Sequence, residues 1–254
     1  MPRVSRRKSR NGIYHIMLRG INRQTIFEDD EDRLKMLDTL KRFKKVSGIE
    51  VYSYCLMDNH IHLLMREVDE TISKFIQRLS SSYVYWYNNK YERFGHLFQD
   101  RFKSENVDTL VYFLKVIRYI HQNPVKAGLA NNVFDCSWTS INEYLGSSSI
   151  VDIDLPLHYF SPERKKALQL FSEFMQAPID DECGLNDEVK IKVSDNELRI
   201  MMDHLGIPNA SELQQMDKGK RNAFIRHLKQ LEGVSIRQIS RVTGISKSVI
   251  GRIG

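Results

Sequence analysis

His60 and His62 flank one apolar residue in the run Tyr54-Cys-Leu-Met-Asp-Asn-His-Ile-His-Leu-Leu-Met65. In a β-strand, residues two apart point to the same face, so both imidazoles converge while Ile61 and Leu63 turn toward a core. Two neutral imidazoles side by side make half of a divalent-metal site. About sixty residues on, Tyr119 and Asn123 stand four apart in a helical pattern and share one face. A phenol and an amide oxygen presented together supply a nucleophile and a third metal ligand. Each pair also has an ordinary reading: two histidines near a hairpin turn, and a half-buried tyrosine with an asparagine at a helix end.

The elements that must position these groups are legible in outline. Ile13 to Leu18 reads as a strand, and Asp30 to Val46 as an amphipathic helix with Leu34, Leu37, Leu40 and Phe43 on one stripe, ending near Gly48. Glu50 to Leu56 and His60 to Met65 form a hairpin across Met57-Asp58-Asn59. Thr71 to Asn88 is a second helix, Phe102 to Val107 a last strand, and Thr109 to His121 the tyrosine helix. Phe113, Val116, Ile117 and Ile120 recur at helical spacing there, and Pro124 and Gly128 mark its expected end. Two helices interleaved with four strands predict an α+β, ferredoxin-like antiparallel sheet with helices on one face.

Other residues offer related chemistry. Phe75, Leu79 and Trp86 fit a core stripe, whereas Tyr83, Tyr87 and Tyr91 are four apart and could line a strand-binding groove. Arg101 and Lys103 lie two apart on the last strand and could contact phosphates. His96 and His121 are not spaced for the site; His121 lies about 200° round the helix from Tyr119 and faces away.

The chain has 254 residues, enough for one large domain or two smaller ones. No apolar run approaches ~18 residues, and the basic N-terminus lacks the apolar stretch of a secretory signal. Cys55, Cys136 and Cys183 are scattered without CxxC spacing, which argues against a zinc knuckle or a disulfide framework. A cytoplasmic, nucleoid-associated protein is expected.

The formal charge of +6 is unevenly spread. Residues 1 to 23 carry Arg3, Arg6, Arg7, Lys8, Arg10, Arg19 and Arg23 and no acids, and residues 146 to 217 are net −8. Residues 218 to 254 hold nine bases against Glu232. Two basic ends around an acidic middle predict two polyanion-binding surfaces. The expected organisation is a catalytic domain over 1–145, an acidic linker region over 146–194 and a helical DNA-binding domain over 195–254.

Within that last domain, residues 235–253 look like a helix-turn-helix. Ile239 and Val242 would line the inner face of its first helix, Gly244 the turn, and Ser246 an N-cap. Val249, Ile250 and Ile253 would anchor the second helix. Lys247, Ser248, Gly251 and Arg252 would face outward, available to a DNA groove. The alternative is an ordinary helical hairpin.

A strand carrying His60-Ile-His62 followed by a helix carrying Tyr119-Ile-His-Gln-Asn123-Pro124 resembles the single-tyrosine HUH transposases, and among them the REP-associated tyrosine transposases. The resemblance covers roughly residues 1 to 145. It includes Tyr14-His15-Ile-Met-Leu-Arg-Gly20-Ile-Asn-Arg23, Ile26-Phe27, Asp32-Arg33, Gly95-His96-Leu-Phe-Gln99-Asp-Arg101-Phe-Lys-Ser104 and Arg118 through Gly128. The three-residue HUH pattern alone is weakly specific; these blocks in order are strongly so. The added helix-turn-helix is not part of the minimal family domain.

What the resemblance implies is a strand transferase acting on single-stranded or hairpin DNA. Tyr119 would attack a phosphodiester as a phenolate, leaving a 5′-phosphotyrosine and a free 3′-hydroxyl. His60, His62 and Asn123 would hold Mg²⁺ or Mn²⁺ as a Lewis acid on the scissile phosphate. The basic arm, with Arg19 and Arg23, would clamp a hairpin, while the C-terminal helices would contact duplex DNA. Relatives act as monomers or as homodimers, the tyrosine serving in cis or in trans. Two rivals remain: a DNA-binding regulator that keeps the fold but does not cut, and a sheet-based RNA binder. The second lacks an aromatic run on any expected strand.

Overall fold

A computed structural model of the chain describes residues 7–177, 195–207, 209–231 and 234–253. Arg3 and Arg6 lie outside the described residues. The chain divides into two compact units, Met1–Asn186 and Asp187–Gly254.

The first unit runs β1 (Ile13–Arg19), α1 (Asp30–Ser47), β2 (Glu50–Met57), β3 (His60–Arg66), α2 (Ile72–Lys90), β4 (Lys103–Asn106) and α3 (Leu110–Lys126). The strands form one sheet in the order β2-β3-β1-β4, each neighbouring pair antiparallel. This is the ferredoxin-like arrangement expected from the sequence. The β1-α1-β2 and β3-α2-β4 segments are split crossovers. Right-handed connection puts both helices on the same face, where they pack on each other.

Local chemistry sets the boundaries. Asp29 caps α1 by accepting from the Asp32 amide at 3.0 Å, and the Asp32 carboxylate accepts in return from the Asp29 amide. Gly48 closes α1 in the left-handed region, where a Cβ would also meet the Asp69 carboxylate. Thr71 and Thr109 cap α2 and α3 by accepting from the third amide on.

The structure departs from two expectations and decides a third question. The tyrosine helix, expected over Thr109 to His121, passes through Pro124 to Lys126 and stops just before Gly128, whose φ is +71°. Proline removes one backbone donor, but its neighbours keep the ladder going: the Ala127 amide donates to Asn123 at 3.0 Å and the Leu129 amide to Pro124 at 2.8 Å. Arg101 lies in a bend before β4, so it does not share a strand face with Lys103. The hydroxyls of Tyr83, Tyr87 and Tyr91 donate to the Ile26 carbonyl, Glu28 and Asp32. Those rings stitch α2 to the start of α1 and line no groove.

Beyond α3 the chain turns back on the sheet. Ser140 and Asp152 donate backbone amides to Tyr54 and Val51, and Leu56 donates to Trp138, so the open edge of β2 is covered. Short helices α4 (Ile141–Leu145) and α5 (Asp154–His158) lead to α6 (Arg164–Gln176). Within the stretch read as an acidic linker, Leu157, Phe171 and Met175 are buried in the first unit's core, and Phe171 stacks on Tyr144 at 4.4 Å. Residues 178–194 lie outside the described residues.

The second unit is all helical: α7 (Asp195–His204), α8 (Ala210–Gln215), α9 (Lys218–Gln230), α10 (Ile236–Thr243) and α11 (Lys247–Arg252). Leu198, Met202, Leu213, Ile225, Leu228, Ile239 and Ile250 make its core. Gly244 stands between α10 and α11 with φ +70°, and a Cβ there would lie 2.7 Å from the Gln214 amide nitrogen. That amide donates to the Thr243 carbonyl at 2.9 Å, holding the turn from α8. Ile250 and Ile253 face inward as expected, but Val249 is 41% exposed. One residue before Ile250 is about 100° round the helix, which turns Val249 outward. Ser246 starts α11 without a side-chain cap; its hydroxyl meets Ser248 instead. Among the described residues, no helix is long and apolar enough to cross a membrane.

Candidate active site

Strand register decides which side chains share a face. His60 pairs with Arg19, His62 with Met17, and Leu64 with His15 across β1 and β3. Directly paired residues of an antiparallel ladder point the same way. The face therefore carries His15, Arg19, His60 and His62, and Lys103 joins it through its pairing with Met17. Helix α3 lies against this face. The Tyr119 ring meets His62 edge-on with centroids 5.5 Å apart, and His15 edge-on at 5.8 Å. Tyr119 and the two HUH imidazoles are thus brought together within one chain, with Tyr119 only 3% exposed.

The two-residue turn before His60 is held from a distance. The Gly20 amide donates to the Asn59 carbonyl at 2.9 Å, and the Ile26 amide to Asp58 at 2.8 Å. A Cβ on Gly20 would lie 2.2 Å from the Gln24 carbonyl oxygen, so only glycine fits. Asn22 and Arg23 follow in the left-handed region, at φ 52° and 60°. The Leu97 carbonyl accepts from Ile21, and the Gln99 amide donates to Arg19. The sequence blocks around Gly20, Asn59 and Leu97 are therefore parts of one support beneath Arg19 and His60.

Each imidazole is oriented by a neighbour. Asn59 donates its amide nitrogen to the Arg23 carbonyl at 3.3 Å, which leaves its oxygen to accept from His60 Nδ1 at 2.6 Å. Nε2 of His60 is then the bare nitrogen. Nδ1 of His62 lies 3.0 Å from Nε2 of His15. Burial, then the Arg19 charge, pushes His60 down to about 4, against the pull of Asp58. Burial first, with His15, His60 and Arg19 adding to it, holds His62 well below the usual histidine range. Burial alone takes His15 down to about 3. All three rings are neutral near neutral pH, as metal ligation requires.

Arg19 feels the charge state of Tyr119. Burial, then Arg23, lowers its affinity for its proton, whereas charge on Tyr119 raises it. Lys126 Nζ lies 5.4 Å from the centroid of the Tyr119 ring, seven residues further along the same helix face. Asn123 is buried a turn beyond Tyr119 and donates its amide nitrogen to the Tyr119 carbonyl at 2.9 Å, which leaves Oδ1 as the atom it could offer a cation.

The remaining expected residues fall elsewhere. His121 bonds Ser140 at 2.8 Å and packs against Tyr144 and Phe171, away from the site as expected. Arg7, Arg10, Arg23 and Arg101 are exposed on the first unit, and Lys247, Ser248 and Arg252 on the second. Sequence reasoning missed His15, Lys126 and the orienting role of Asn59. Helical spacing from Tyr119 could have found Lys126; only the strand register reveals His15.

The donor set fits a hard or borderline divalent cation. Two neutral imidazoles and an amide oxygen leave positions open to phosphate and water, which suits Mn²⁺ or Mg²⁺. Among the described residues, no group of three or more His, Cys, Asp or Glu side chains is arranged to hold a metal.

Residues 8–123 match the family model described as "Transposase IS200 like", a span that holds all four strands and stops at Asn123. No curated protein matches the chain. A solved REP-associated tyrosine transposase bound to a REP hairpin is similar at 16% identity and a TM-score of 0.49, over 61% of this chain and 96% of that one. A protein from Deinococcus radiodurans R1 assigned as a transposase is similar at 16% identity and a TM-score of 0.35, over 48% of this chain and 97% of that one. Over residues 8–123 the first unit is similar to that family, and its fold is single-tyrosine transposase-like.

Proposed function

We propose that the first unit nicks and rejoins single-stranded or hairpin DNA, with Tyr119 as nucleophile. The observation that carries this reading is the packing of Tyr119 against His62 on the face that also presents His60 and Arg19. In-line attack by the phenol oxygen on a phosphodiester forms a 5′-phosphotyrosine and releases a 3′-hydroxyl. The reverse attack rejoins the strand, so the bond energy is kept and no nucleotide triphosphate is consumed. Arg19 steadies the charged phosphate, and Lys126 favours the deprotonated phenol. His60 and His62, with Asn123, would hold Mg²⁺ or Mn²⁺, which supplies Lewis-acid stabilisation of the phosphate oxygens. In this reading the tyrosine that packs on the histidines of its own chain serves in cis.

The second unit contacts duplex DNA through α11, whose Lys247, Ser248 and Arg252 are exposed beside the outward Val249. An exposed methyl-bearing side chain among bases suits a groove that carries thymine methyls.

A non-cutting regulator is the second reading, favoured by the near-complete burial of Tyr119. Hairpin oligonucleotides labelled at either end, incubated with wild type and Tyr119→Phe in Mn²⁺, separate the two. A metal-dependent protein adduct that retains the DNA 3′ of the nick, absent in Tyr119→Phe, supports the nuclease. Tight hairpin binding with no adduct in either Mn²⁺ or Mg²⁺ supports the regulator.

A further inference from the structure

His15 is a costly residue to place where it stands. It sits mid-strand in β1, fully buried, with Leu64 opposite on one side and Glu105 on the other. Its Nδ1 is buried without a hydrogen-bond partner, so the bond from Nε2 to His62 is the ring's polar contact. A buried polar atom left unpaired lowers stability, and an apolar side chain would fill the position at less cost. Something other than packing accounts for an imidazole here.

The contact to His62 has two tautomeric forms. When His15 Nε2 carries the proton, it donates to Nδ1 of His62, whose own proton then sits on Nε2 and blocks ligation. When His62 Nδ1 carries the proton, it donates to Nε2 of His15, and Nε2 of His62 is bare. His60 is already held in the second arrangement, Nδ1 against the Asn59 oxygen and Nε2 bare. His15 thus stands to His62 as Asn59 stands to His60, and its ring also meets Tyr119 at 5.8 Å.

We propose that His15 is a positioning residue for the cation site: Nε2 of His15 accepts the Nδ1 proton of His62, fixing that ring's orientation and leaving its Nε2 free to ligate. This rests on the metal-site reading above. An outer partner of this kind tunes a ligand without touching the ion. The same ring sets the edge contact of Tyr119, so one side chain aligns both a ligand and the nucleophile.

The test uses the full chain as wild type, His15→Leu, His15→Gln and His62→Ala. Mn²⁺ is titrated into each, with free Mn²⁺ counted by electron paramagnetic resonance. Glutamine at position 15 can still present an acceptor oxygen near the place of Nε2; leucine cannot. We expect Mn²⁺ affinity to fall by about 10–100-fold in His15→Leu and to be largely recovered in His15→Gln, with hairpin affinity in the absence of metal unchanged in both. Long-range ¹⁵N–¹H spectra of the Mg²⁺-loaded wild type should place the His62 proton on Nδ1.

Wild-type affinity in His15→Leu, or a His62 proton on Nε2 in the loaded chain, overturns the proposal and leaves the metal site standing. Equal losses in His15→Leu and His15→Gln with matching drops in melting temperature also overturn it, assigning His15 to packing. Failure of the wild type to bind Mn²⁺ at all removes the metal site and this proposal together.

Discussion

Arg19 stands directly across from His60 in the β1–β3 ladder, which puts a guanidinium on the face that carries the imidazoles and within electrostatic reach of Tyr119. A phosphate bound on that face would lie under the influence of the Arg19 charge. Replacing Arg19 with alanine should slow single-turnover adduct formation by about 10²–10³-fold, the usual loss for one transition-state donor. Arg19→Lys should recover part of it, because charge survives but the planar fork does not. An unchanged adduct rate in Arg19→Ala would remove this residue from the chemistry.

Gly20 predicts a coupled loss of stability and metal binding. An alanine methyl there must displace the Gln24 carbonyl and the buried Ile26 side chain. The strain should lower unfolding free energy by about 1–3 kcal/mol in urea titrations. Because the Gly20 amide holds the Asn59 carbonyl, Mn²⁺ affinity should fall in the same variant. Destabilisation with intact Mn²⁺ binding would show that the turn does not depend on this support.

Acid should destabilise the fold earlier than it does most proteins. Burial takes His15 and His121 down to about 3 and His60 to about 4. The unfolded chain charges these rings near pH 6.5, so unfolding takes up protons as the pH drops below that value. Their neutral state is free of this penalty above about pH 6.5, and each ring costs about 1.4 kcal/mol per pH unit on the way down toward its folded value. Thermal midpoints should be flat above neutrality and fall steeply toward about pH 4.5. His121→Gln, which can keep a hydrogen bond to Ser140, should flatten the acid limb; an unaltered limb would contradict the assignment.

For the second unit, Lys247→Ala combined with Arg252→Ala should weaken duplex DNA binding and reduce the slope of log affinity against log salt by about 2. Hairpin nicking should be untouched, since both residues lie in the second unit. Filter binding across a salt series reads the slope. A slope equal to wild type would place duplex contact elsewhere.

Much of this was legible because it depends on neighbours in sequence. Alternation gave the four strands, capping residues gave the helix starts, and the i, i+2 and i, i+4 spacings pointed to His60, His62, Tyr119 and Asn123 as candidates. The misreadings share a cause, which is dependence on distant partners. Pro124 looks like a stop until the flanking carbonyls are seen to find donors at Ala127 and Leu129. Tyr83, Tyr87 and Tyr91 look like a stacking platform until Ile26, Glu28 and Asp32 take their hydroxyls. His15 is one polar residue in an apolar strand, and nothing in the sequence tells which residue of β3 it will face. A short helix near Pro162 to Gln176 is legible in the sequence, but that Phe171 and Met175 bury it in the first unit's core is not.

The two apolar cores have no residue in common among those described. A substitution that loosens the packing around Ile239 or Ile250 therefore leaves the layer beneath His60 and Tyr119 undisturbed, and the reverse holds as well. Under selection, the two halves can vary on separate clocks. On the proposed function, drift in the outward side chains of α11 would redirect the chain to a new duplex address while strand breakage and rejoining stay as they were. On the same reading, decay of Tyr119 would leave a DNA-docking module behind.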